Sequence, residues 1–202
     1  MKLTAGILIG GASRRMGRPK ALIRVGTTTL LEQTATLARS VCEEVVLLGR
    51  PPFILPVSMP RLQIIEDREA NAGPLAGLHA FLTSRPEEAC LLLACDMPHL
   101  CESLLRRLVE AEGPHDAAVC RTAGETGASP QWHPCCGVYR PSALPTIQAA
   151  TDAGRLSLMG VLAALRVRPV DLRGDESRWV ENWNTPGEAR RTPATEAPRE
   201  EA

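Results

Sequence analysis

Residues 10–20 read Gly10-Gly11-Ala12-Ser13-Arg14-Arg15-Met16-Gly17-Arg18-Pro19-Lys20, and they follow directly after the apolar run from Leu3 to Ile9. The apolar run predicts a buried strand, and the glycines predict a loop at the end of that strand. Three glycines within eight residues allow successive backbone N–H groups to point at one place, which suits an anion. Four cationic side chains in the same loop add to this preference. The stretch therefore predicts a loop that binds a triphosphate rather than a solvated basic turn.

The spacing of this loop excludes two common phosphate-binding motifs. A P-loop requires Gly, four residues and then Gly-Lys followed by Ser or Thr, whereas Gly17 is followed by Arg-Pro-Lys and no hydroxyl residue comes after Lys20. The dinucleotide fingerprint G-x-G-x-x-G is absent as well. The loop is thus a different kind of nucleotide site.

Apolar runs and amphipathic segments alternate along the rest of the chain. Strands are predicted at 3–9, 45–48, 62–65, 90–95, 117–120, 136–139 and 167–172, and helices at 29–40, 75–83, 100–111, 141–151 and in a segment that ends at 165. This alternation indicates an α/β fold, a single Rossmann-like domain with a mainly parallel sheet and helices on both faces. We expect the domain to span residues 1–190 and residues 191–202 to form a disordered tail.

The composition excludes several classes of protein. The chain has 23 basic and 23 acidic residues, so no overall field attracts nucleic acid or a membrane surface. Seven cysteines, an odd number without a C-x-x-C pair, argue against a disulfide framework and against a structural zinc site. We expect Cys135 and Cys136 to pack on opposite faces of a strand and His133 to be a loop histidine rather than a general base. No apolar stretch is long enough to span a membrane, and we expect a cytoplasmic protein.

Acidic residues follow two of the predicted strands. Asp67 comes after the strand at 62–65, and Asp96 comes directly after the apolar run 90–95. Ligands of such sheets bind at the carboxyl ends of the strands, which makes both residues candidates for a site. Asp96 has two interpretations: a carboxylate at the end of an apolar strand whose charge a cationic partner compensates, or the N-cap of the helix predicted from Leu100.

The same segments carry a resemblance to a known family. The loop fits the pattern L-x-G-G-x-S-x-R-M-G-x-x-K, and three later segments also fit: Gly73-Pro74-Leu75-Ala76-Gly77, Asp96-Met97-Pro98 and Asn182-Trp183-Asn184-Thr185-Pro186. In this order they resemble the molybdenum cofactor guanylyltransferases, the MobA-like nucleotidyltransferases. The resemblance implies transfer of GMP from GTP to molybdopterin or Mo-molybdopterin, with Mg²⁺ as cofactor and release of pyrophosphate. Molybdoenzyme apo-proteins and cofactor-inserting proteins are the further partners that it implies.

The resemblance also implies roles for individual residues. Arg15 and Lys20 would neutralise charge on the leaving pyrophosphate, and Asp96 would hold the metal. Asn182 and Asn184 would bind molybdopterin while Trp183 anchors their segment in apolar packing. The wider set of nucleotide-binding residues that it implies is Leu8, Ile9, Gly10, Gly11, Ser13, Arg15, Gly17, Lys20, Asp67, Gly77 and Asp96.

Two alternative functions stay open at the level of sequence. Cytidylyltransferases of the same cofactor tend to read L-A-A-G at the start of the loop, whereas this chain reads Leu8-Ile9-Gly10-Gly11, which is closer to the guanylyl L-A-G-G. Ile9 replaces the usual Ala, and we expect it to crowd the base. The second alternative is a non-catalytic protein that binds and delivers the cofactor. Lys20 together with Asp96 argues against it, because binding alone needs no metal carboxylate.

Overall fold

A computed structural model describes residues 2–9, 19–51, 53–55, 62–67, 73–111, 113–124 and 129–183. The strands in these ranges are β1 (Lys2–Leu8), β2 (Arg24–Val25), β3 (Thr28–Thr29), β4 (Glu44–Leu48), β5 (Gln63–Ile65), β6 (Glu88–Ala94), β7 (Ala117–Thr122), β8 (Gln131–Tyr139) and β9 (Val167–Leu172). The α-helices are α1 (Leu30–Arg39), α2 (Gly73–Ser84), α3 (Glu102–Val109), α4 (Leu144–Asp152) and α5 (Leu158–Leu162). Three 3₁₀ turns cover Lys20–Leu22, Pro141–Ala143 and Gly174–Val180.

Seven of these strands form one sheet, in the order β5-β4-β1-β6-β8-β7-β9. The strands β5, β4, β1 and β6 are parallel to one another, and β7 is parallel to β9. The strand β8 runs antiparallel to both of its neighbours, β6 and β7. The predicted mainly parallel sheet is therefore confirmed, with one reversed strand that the alternation of elements does not reveal.

Helices cover both faces of this sheet. On one face α1 packs its apolar side against β1 and β4 and α3 packs against β7 and β8, with Leu31, Leu104 and Leu105 fully buried. On the other face α2, α4 and α5 form a second buried cluster that includes Phe81 and Ile147. Each layer buries an apolar stripe of its helices, which is the main stabilisation of such a fold. The predicted domain boundary at 190 and the tail at 191–202 lie outside the described residues.

Local sequence signals explain where α1 begins. Thr29 caps the helix by accepting a hydrogen bond from the Glu32 N–H, and the Glu32 carboxylate accepts one from the Thr29 N–H at 2.6 Å. This reciprocal capping box satisfies two N–H groups that the first turn would otherwise leave unpaired. It fixes the direction of α1 directly after the short β2–β3 hairpin.

Four parallel strands end level with one another at one edge of the sheet. The register pairs Leu8 of β1 with both Leu48 of β4 and Ala94 of β6, and it pairs Leu48 with Ile65 of β5. The segments that follow these four strands therefore leave the sheet along a single line. None of the helices in the described ranges combines the length and the apolar character needed to cross a membrane.

Candidate functional site

The candidate site lies at the carboxyl edge of the four parallel strands, where Lys20 and Asp96 meet. Asp96 follows the end of β6 by two residues, and Lys20 opens the 3₁₀ turn that comes after the glycine-rich loop. Buried Ile23 fixes this turn, because its N–H donates to the Lys20 carbonyl at 2.9 Å and its own carbonyl accepts from the Leu30 N–H at 2.9 Å. Two distant parts of the sequence thus place one cation and one anion together.

The Lys20 ammonium and the Asp96 carboxylate form an ion pair, with Nζ 2.7 Å from Oδ2. Their side chains are 22% and 16% exposed, so both are largely removed from water but still reachable by a ligand. A carboxylate at the end of an apolar strand is costly unless a cation compensates its charge, and Lys20 provides that cation. The two residues that were predicted to act on phosphate and on metal are therefore direct neighbours.

The alternative interpretation of Asp96 as a helix N-cap is wrong. The helix α3 begins at Glu102, its N-cap position is Cys101, and no side chain makes the capping hydrogen bond. Asp96 lies a full turn earlier in the chain and directs its carboxylate at Lys20. The capping preference of Asp therefore does not explain this residue, whereas a charged partner does.

The C-terminal segment reaches the same place. The Trp183 N–H donates to the Asp96 carbonyl oxygen at 2.9 Å. The Trp183 side chain is 6% exposed and packs in a small cluster with Ile23 and Leu30, whereas Asn182 is exposed. The predicted anchoring of this segment by Trp183 in apolar packing is thus confirmed.

The other acidic candidate, Asp67, lies at the same edge but at its far end. It follows edge strand β5, and its neighbour Glu66 forms an exposed ion pair with Arg50 at 2.9 Å. The order β5-β4-β1-β6 puts three strand spacings, about 14 Å, between the strands that carry Asp67 and Asp96. This separation is comparable to the length of a nucleotide from its base to its phosphates.

Three more of the predicted nucleotide-binding residues lie at or beneath this edge: Leu8 at the end of β1, Ile9 directly after it, and Gly77 on α2. A Cβ atom on Gly77 would come within 3.2 Å of both Leu8 Cδ2 and Leu48 Cβ, so the absence of a side chain lets α2 pack closely on β1 and β4. That packing accounts for the glycine by itself, and a nucleotide contact of Gly77 stays a prediction. Ile9 is 5% exposed and belongs to the core cluster under α1 and α3, so its side chain points into the core and not over the edge, where we expected it to crowd a base.

The remaining predicted residues cannot be placed. Gly10, Gly11, Ser13, Arg15 and Gly17 of the loop lie outside the described residues, and so does Asn184. Their roles stay predictions from the sequence. Within the ranges that the structure describes, there is no group of three or more His, Cys, Asp or Glu side chains that could hold a metal ion by itself.

The side chains present fit a hard divalent cation that is held partly by the substrate. Asp96 offers one partly exposed carboxylate, and Mg²⁺ in nucleotide enzymes is held by one or two carboxylates plus phosphate oxygens. A carboxylate oxygen favours a hard metal over a soft one. The neighbouring residue Cys95 carries a thiol, which is the type of ligand that a soft metal prefers. Burial raises the pKa of the Cys95 thiol to about 12, so this thiol stays protonated and ligates poorly.

Strand β8 borders the site and carries three residues for which the sequence makes a prediction, His133, Cys135 and Cys136. His133 lies on this strand and not in a loop, its ring nitrogen is 3.1 Å from Thr122 Oγ1, and burial lowers its pKa. Cys135 and Cys136 pack in the clusters on opposite faces of the sheet, as predicted. All seven cysteines are free thiols, and Cys136 Sγ lies 3.5 Å from Cys120 Sγ.

Sequence reasoning missed the contacts that hold Asp96 in place. The Gln33 amide donates to the Pro98 carbonyl at 3.0 Å, and the His99 ring meets the Trp183 indole edge-on with centroids 6.3 Å apart. Gln33 is half-buried at the side of the apolar face of α1, a position at which a polar residue is ordinary, so the sequence gives no signal for this contact. The bond from Trp183 is made by a backbone group and has no side-chain signature.

Comparisons with known proteins identify the family of the chain. A family profile described as "MobA-like NTP transferase domain" matches residues 5–168. The chain is similar to a "Probable molybdenum cofactor guanylyltransferase" from Synechococcus elongatus, with 37% identity over 92% of this chain and 95% of the relative. A protein with the same description from Pelotomaculum thermopropionicum is 31% identical over 84% of this chain and 79% of the relative.

Solved structures show the same fold. The "Molybdopterin-guanine dinucleotide biosynthesis protein A" from Archaeoglobus fulgidus superposes with a TM-score of 0.73 at 23% identity, over 93% of this chain and 95% of the other. A "2-C-methyl-D-erythritol 4-phosphate cytidylyltransferase" from Thermus thermophilus gives a TM-score of 0.65 at 19% identity, over 91% of this chain and 94% of the other. The sequence relatives, the matching profile and the fold agree, and the chain therefore belongs to the MobA-like NTP transferase family of nucleotidyltransferases, as a relative of the molybdenum cofactor guanylyltransferases.

Proposed function

We propose that this protein transfers GMP from GTP to molybdopterin or Mo-molybdopterin and releases pyrophosphate. The observation that carries the proposal is the ion pair between Lys20 and Asp96 at the end of the glycine-rich loop. The names of the similar sequences support the choice of nucleotide and acceptor. A protein that only delivered the cofactor would have no need for such a pair.

The reaction is an in-line displacement at the α-phosphorus of GTP. An oxygen of the acceptor's terminal phosphate forms the new P–O bond, the bond between the α-phosphorus and the bridging oxygen of the β-phosphate breaks, and its electron pair leaves with pyrophosphate. Such chemistry depends on positioning and charge neutralisation more than on a strong base. Lys20 would hold the phosphates that become pyrophosphate, and Asp96 would hold Mg²⁺, which neutralises phosphate charge when bound.

The ion pair also prepares the site for an anionic substrate. Lys20 and Asp96 neutralise each other before the substrate arrives, so neither charge is left buried without a partner. When GTP and Mg²⁺ bind, Lys20 would exchange the carboxylate for phosphate oxygens and Asp96 would exchange the ammonium for the cation. The exchange therefore avoids a step in which one charge is desolvated alone.

The far end of the edge is the proposed base and ribose site. Guanine presents N–H donors at N1 and N2 that match a carboxylate acceptor, whereas cytosine presents only the N4 amino group. Asp67 lies about three strand spacings from the strand that leads to Asp96, which suits a base at one end and phosphates at the other. This chemistry favours guanine over cytosine, with Asp67 and the backbone from Leu8 to Gly10 as the recognising groups.

The test is incubation of the purified protein with molybdopterin, Mg²⁺ and each of the four NTPs separately. Of the four NTPs, we expect only GTP to give pyrophosphate release in the presence of molybdopterin. Hydrolysis of the product should then yield GMP. Recovery of CMP from the CTP reaction would instead assign cytidylyl transfer. Omission of Mg²⁺, with chelator present, is expected to stop the reaction, and transfer of the product to a molybdoenzyme apo-protein would test the further partners.

A further inference from the structure

The turn that carries Asp96 is held by groups from three different parts of the chain. Lys20 pairs with the Asp96 carboxylate, the Trp183 N–H donates to the Asp96 carbonyl at 2.9 Å, and Gln33 donates to the Pro98 carbonyl at 3.0 Å. Two of these bonds fix the backbone of the turn and not only its side chain. The position of the Asp96 carboxylate therefore depends on residues outside its own strand.

Trp183 is the residue that links this turn to the turn of Lys20. Its buried indole packs in one cluster with Ile23 and Leu30, and the Ile23 N–H donates to the Lys20 carbonyl at 2.9 Å. The indole also meets the ring of His99, three residues after Asp96, in an edge-on contact. One side chain thus contacts the structure around the cation and the structure around the anion.

We propose that Trp183 is a positioning residue for the nucleotide half of the reaction, and not only an anchor for the exposed amide of Asn182. This inference rests on the proposed function. Trp183 sets the separation and orientation of Lys20 and Asp96 through its N–H bond to Asp96 and its packing on Ile23. The C-terminal segment therefore serves the metal–nucleotide site as well as the acceptor.

The physical reason is that Lys20 and the metal on Asp96 must contact the same triphosphate. Misplacing a charged group by about 1 Å can cost on the order of a hundredfold in rate, even where the change lies away from the reacting atoms. Loss of the indole removes the packing that ties residues 96–99 to the Lys20 turn. The two charges would then sample separations that one metal–triphosphate complex cannot bridge.

The test uses three variants of the full chain and measures Mg²⁺·GTP binding by calorimetry in the absence of acceptor. Trp183→Ala is expected to weaken this binding by about tenfold or more, and Trp183→Phe to restore most of it because an aromatic ring refills the cluster. Trp179→Ala is the matched control, since Trp179 is a partly buried tryptophan of the preceding 3₁₀ turn that packs on the large core cluster and not in the cluster of Ile23, Leu30 and Trp183. It is expected to keep GTP affinity within about twofold of the unsubstituted protein, although its thermal midpoint falls.

The outcomes separate the inference from the proposed function. Normal Mg²⁺·GTP affinity in Trp183→Ala, with a raised KM for molybdopterin alone, would overturn the inference and leave Trp183 as an acceptor-side anchor. Equal losses in Trp183→Ala and Trp179→Ala would also overturn it, because both would then report general destabilisation. If Trp183→Ala does not fold, Trp183→Leu takes its place, because leucine fills part of the cluster without an aromatic ring, and full Mg²⁺·GTP affinity in that folded variant contradicts any positioning by the indole. Failure of the unsubstituted protein to bind Mg²⁺·GTP would reject the proposed function itself.

Discussion

The Nζ atom of Lys20 lies 2.7 Å from Oδ2 of Asp96, although the two residues are 76 positions apart in the sequence. The contact forms because β1 and β6 are neighbouring parallel strands that end in register, Leu8 beside Ala94. The segments that follow β1 and β6 therefore leave the sheet side by side at the same edge.

Removing the cation should abolish most of the activity. Lys20→Ala is expected to lower turnover by at least about a hundredfold, because it removes fixed positive charge where negative charge develops on the leaving pyrophosphate. Arg15→Ala in the glycine-rich loop is expected to have a similar effect. Steady-state pyrophosphate release measures both. Arg106→Ala, which breaks an exposed ion pair with Glu102 on α3, is the control and should retain full turnover. Turnover in Lys20→Ala equal to that of this control contradicts the assignment.

Neutralising Asp96 without changing its shape should remove metal-dependent transfer. Asp96→Asn keeps the size of the side chain and leaves the Trp183 bond to the backbone carbonyl in place, so we expect the fold to survive. Metal affinity should fall because an amide oxygen is a much weaker ligand for Mg²⁺ than a carboxylate. Calorimetric titration with Mg²⁺ and GTP tests this, with a thermal melt in parallel. If activity is lost while metal affinity is unchanged, Asp96 has a structural role and the metal lies elsewhere.

The acceptor side is tested by the double variant Asn182→Ala with Asn184→Ala. Asn182 is exposed while Trp183 stays buried and is not changed, so we expect the variant to keep the packing of this segment. Two carboxamides can pair with the donors and acceptors of a pterin, and their loss should weaken molybdopterin binding by tenfold or more, about 1–3 kcal/mol. GTP affinity is expected to stay the same. If the affinities for molybdopterin and GTP fall equally, or if neither affinity falls, these residues only close the domain.

The opposite end of the sheet should control stability at low pH. Hydrogen bonds from Arg85, at 2.6 and 2.9 Å, and from Lys2, at 2.9 Å, lower the pKa of the Glu44 carboxyl from an ordinary 4.5 to about 2. A carboxyl whose pKa is lowered in the folded state stabilises the fold above its unfolded pKa, and this contribution is lost as the pH falls from about 4.5 through about 2. Because a third of the Glu44 side chain is exposed, we expect about 1 kcal/mol.

Urea unfolding at several pH values measures this contribution. Glu44→Gln should lower the free energy of unfolding at pH 6 by about 1 kcal/mol, and the difference from the unsubstituted protein should shrink towards pH 3. Glu102→Gln, which breaks the exposed pair on α3, serves as the comparison and should change little at either pH. A constant difference for Glu44→Gln between pH 6 and pH 3 would show that its carboxylate charge contributes nothing.

The role of Gly77 is tested by adding a methyl group. A Cβ at this position would lie 3.2 Å from both Leu8 and Leu48, tighter than ordinary van der Waals contact, so Gly77→Ala should lower the free energy of unfolding by about 1–3 kcal/mol. Gly160→Ala is a matched control on α5, where the nearest heavy atom would be Ser157 Cβ at 3.5 Å, and it should be neutral or stabilising. If Gly77→Ala is stable but loses GTP affinity, nucleotide contact and not helix packing explains the glycine.

The sequence predicts most elements of the fold because their signals are local. Residues 167–172 were predicted as a strand and form β9 with the same bounds, and the capping box at Thr29 marks the start of α1. The strand β8 was predicted only at 136–139, because Pro134 normally interrupts a strand. The register between β7 and β8 shifts between Val119 and Cys120, and the Tyr139 hydroxyl donates to the Pro134 carbonyl at 2.7 Å, so the strand continues through the proline.

The site was predictable as residue types but not as contacts. A carboxylate after an apolar strand indicated that Asp96 needs a cation, and Lys20 was a candidate by motif. Their pairing depends on strand order, which the sequence pattern does not specify. The Trp183 bond to Asp96 uses backbone groups that every residue carries, so no pattern could reveal it. Likewise the reversal of β8 depends on how the chain connects β7 to β8 in space and not on the residues of either strand.

The contact between Trp183 and Asp96 has a consequence for the order in which the protein is made. Lys20 and Asp96 leave the ribosome early, and their strands can pair while synthesis continues. Trp183, which is proposed to position them, is synthesised only after all seven strands of the described sheet. A nascent or prematurely terminated chain would therefore carry both charged groups before the residue that is proposed to position them, and we expect a chain that ends before Trp183 to bind Mg²⁺·GTP more weakly than the full chain.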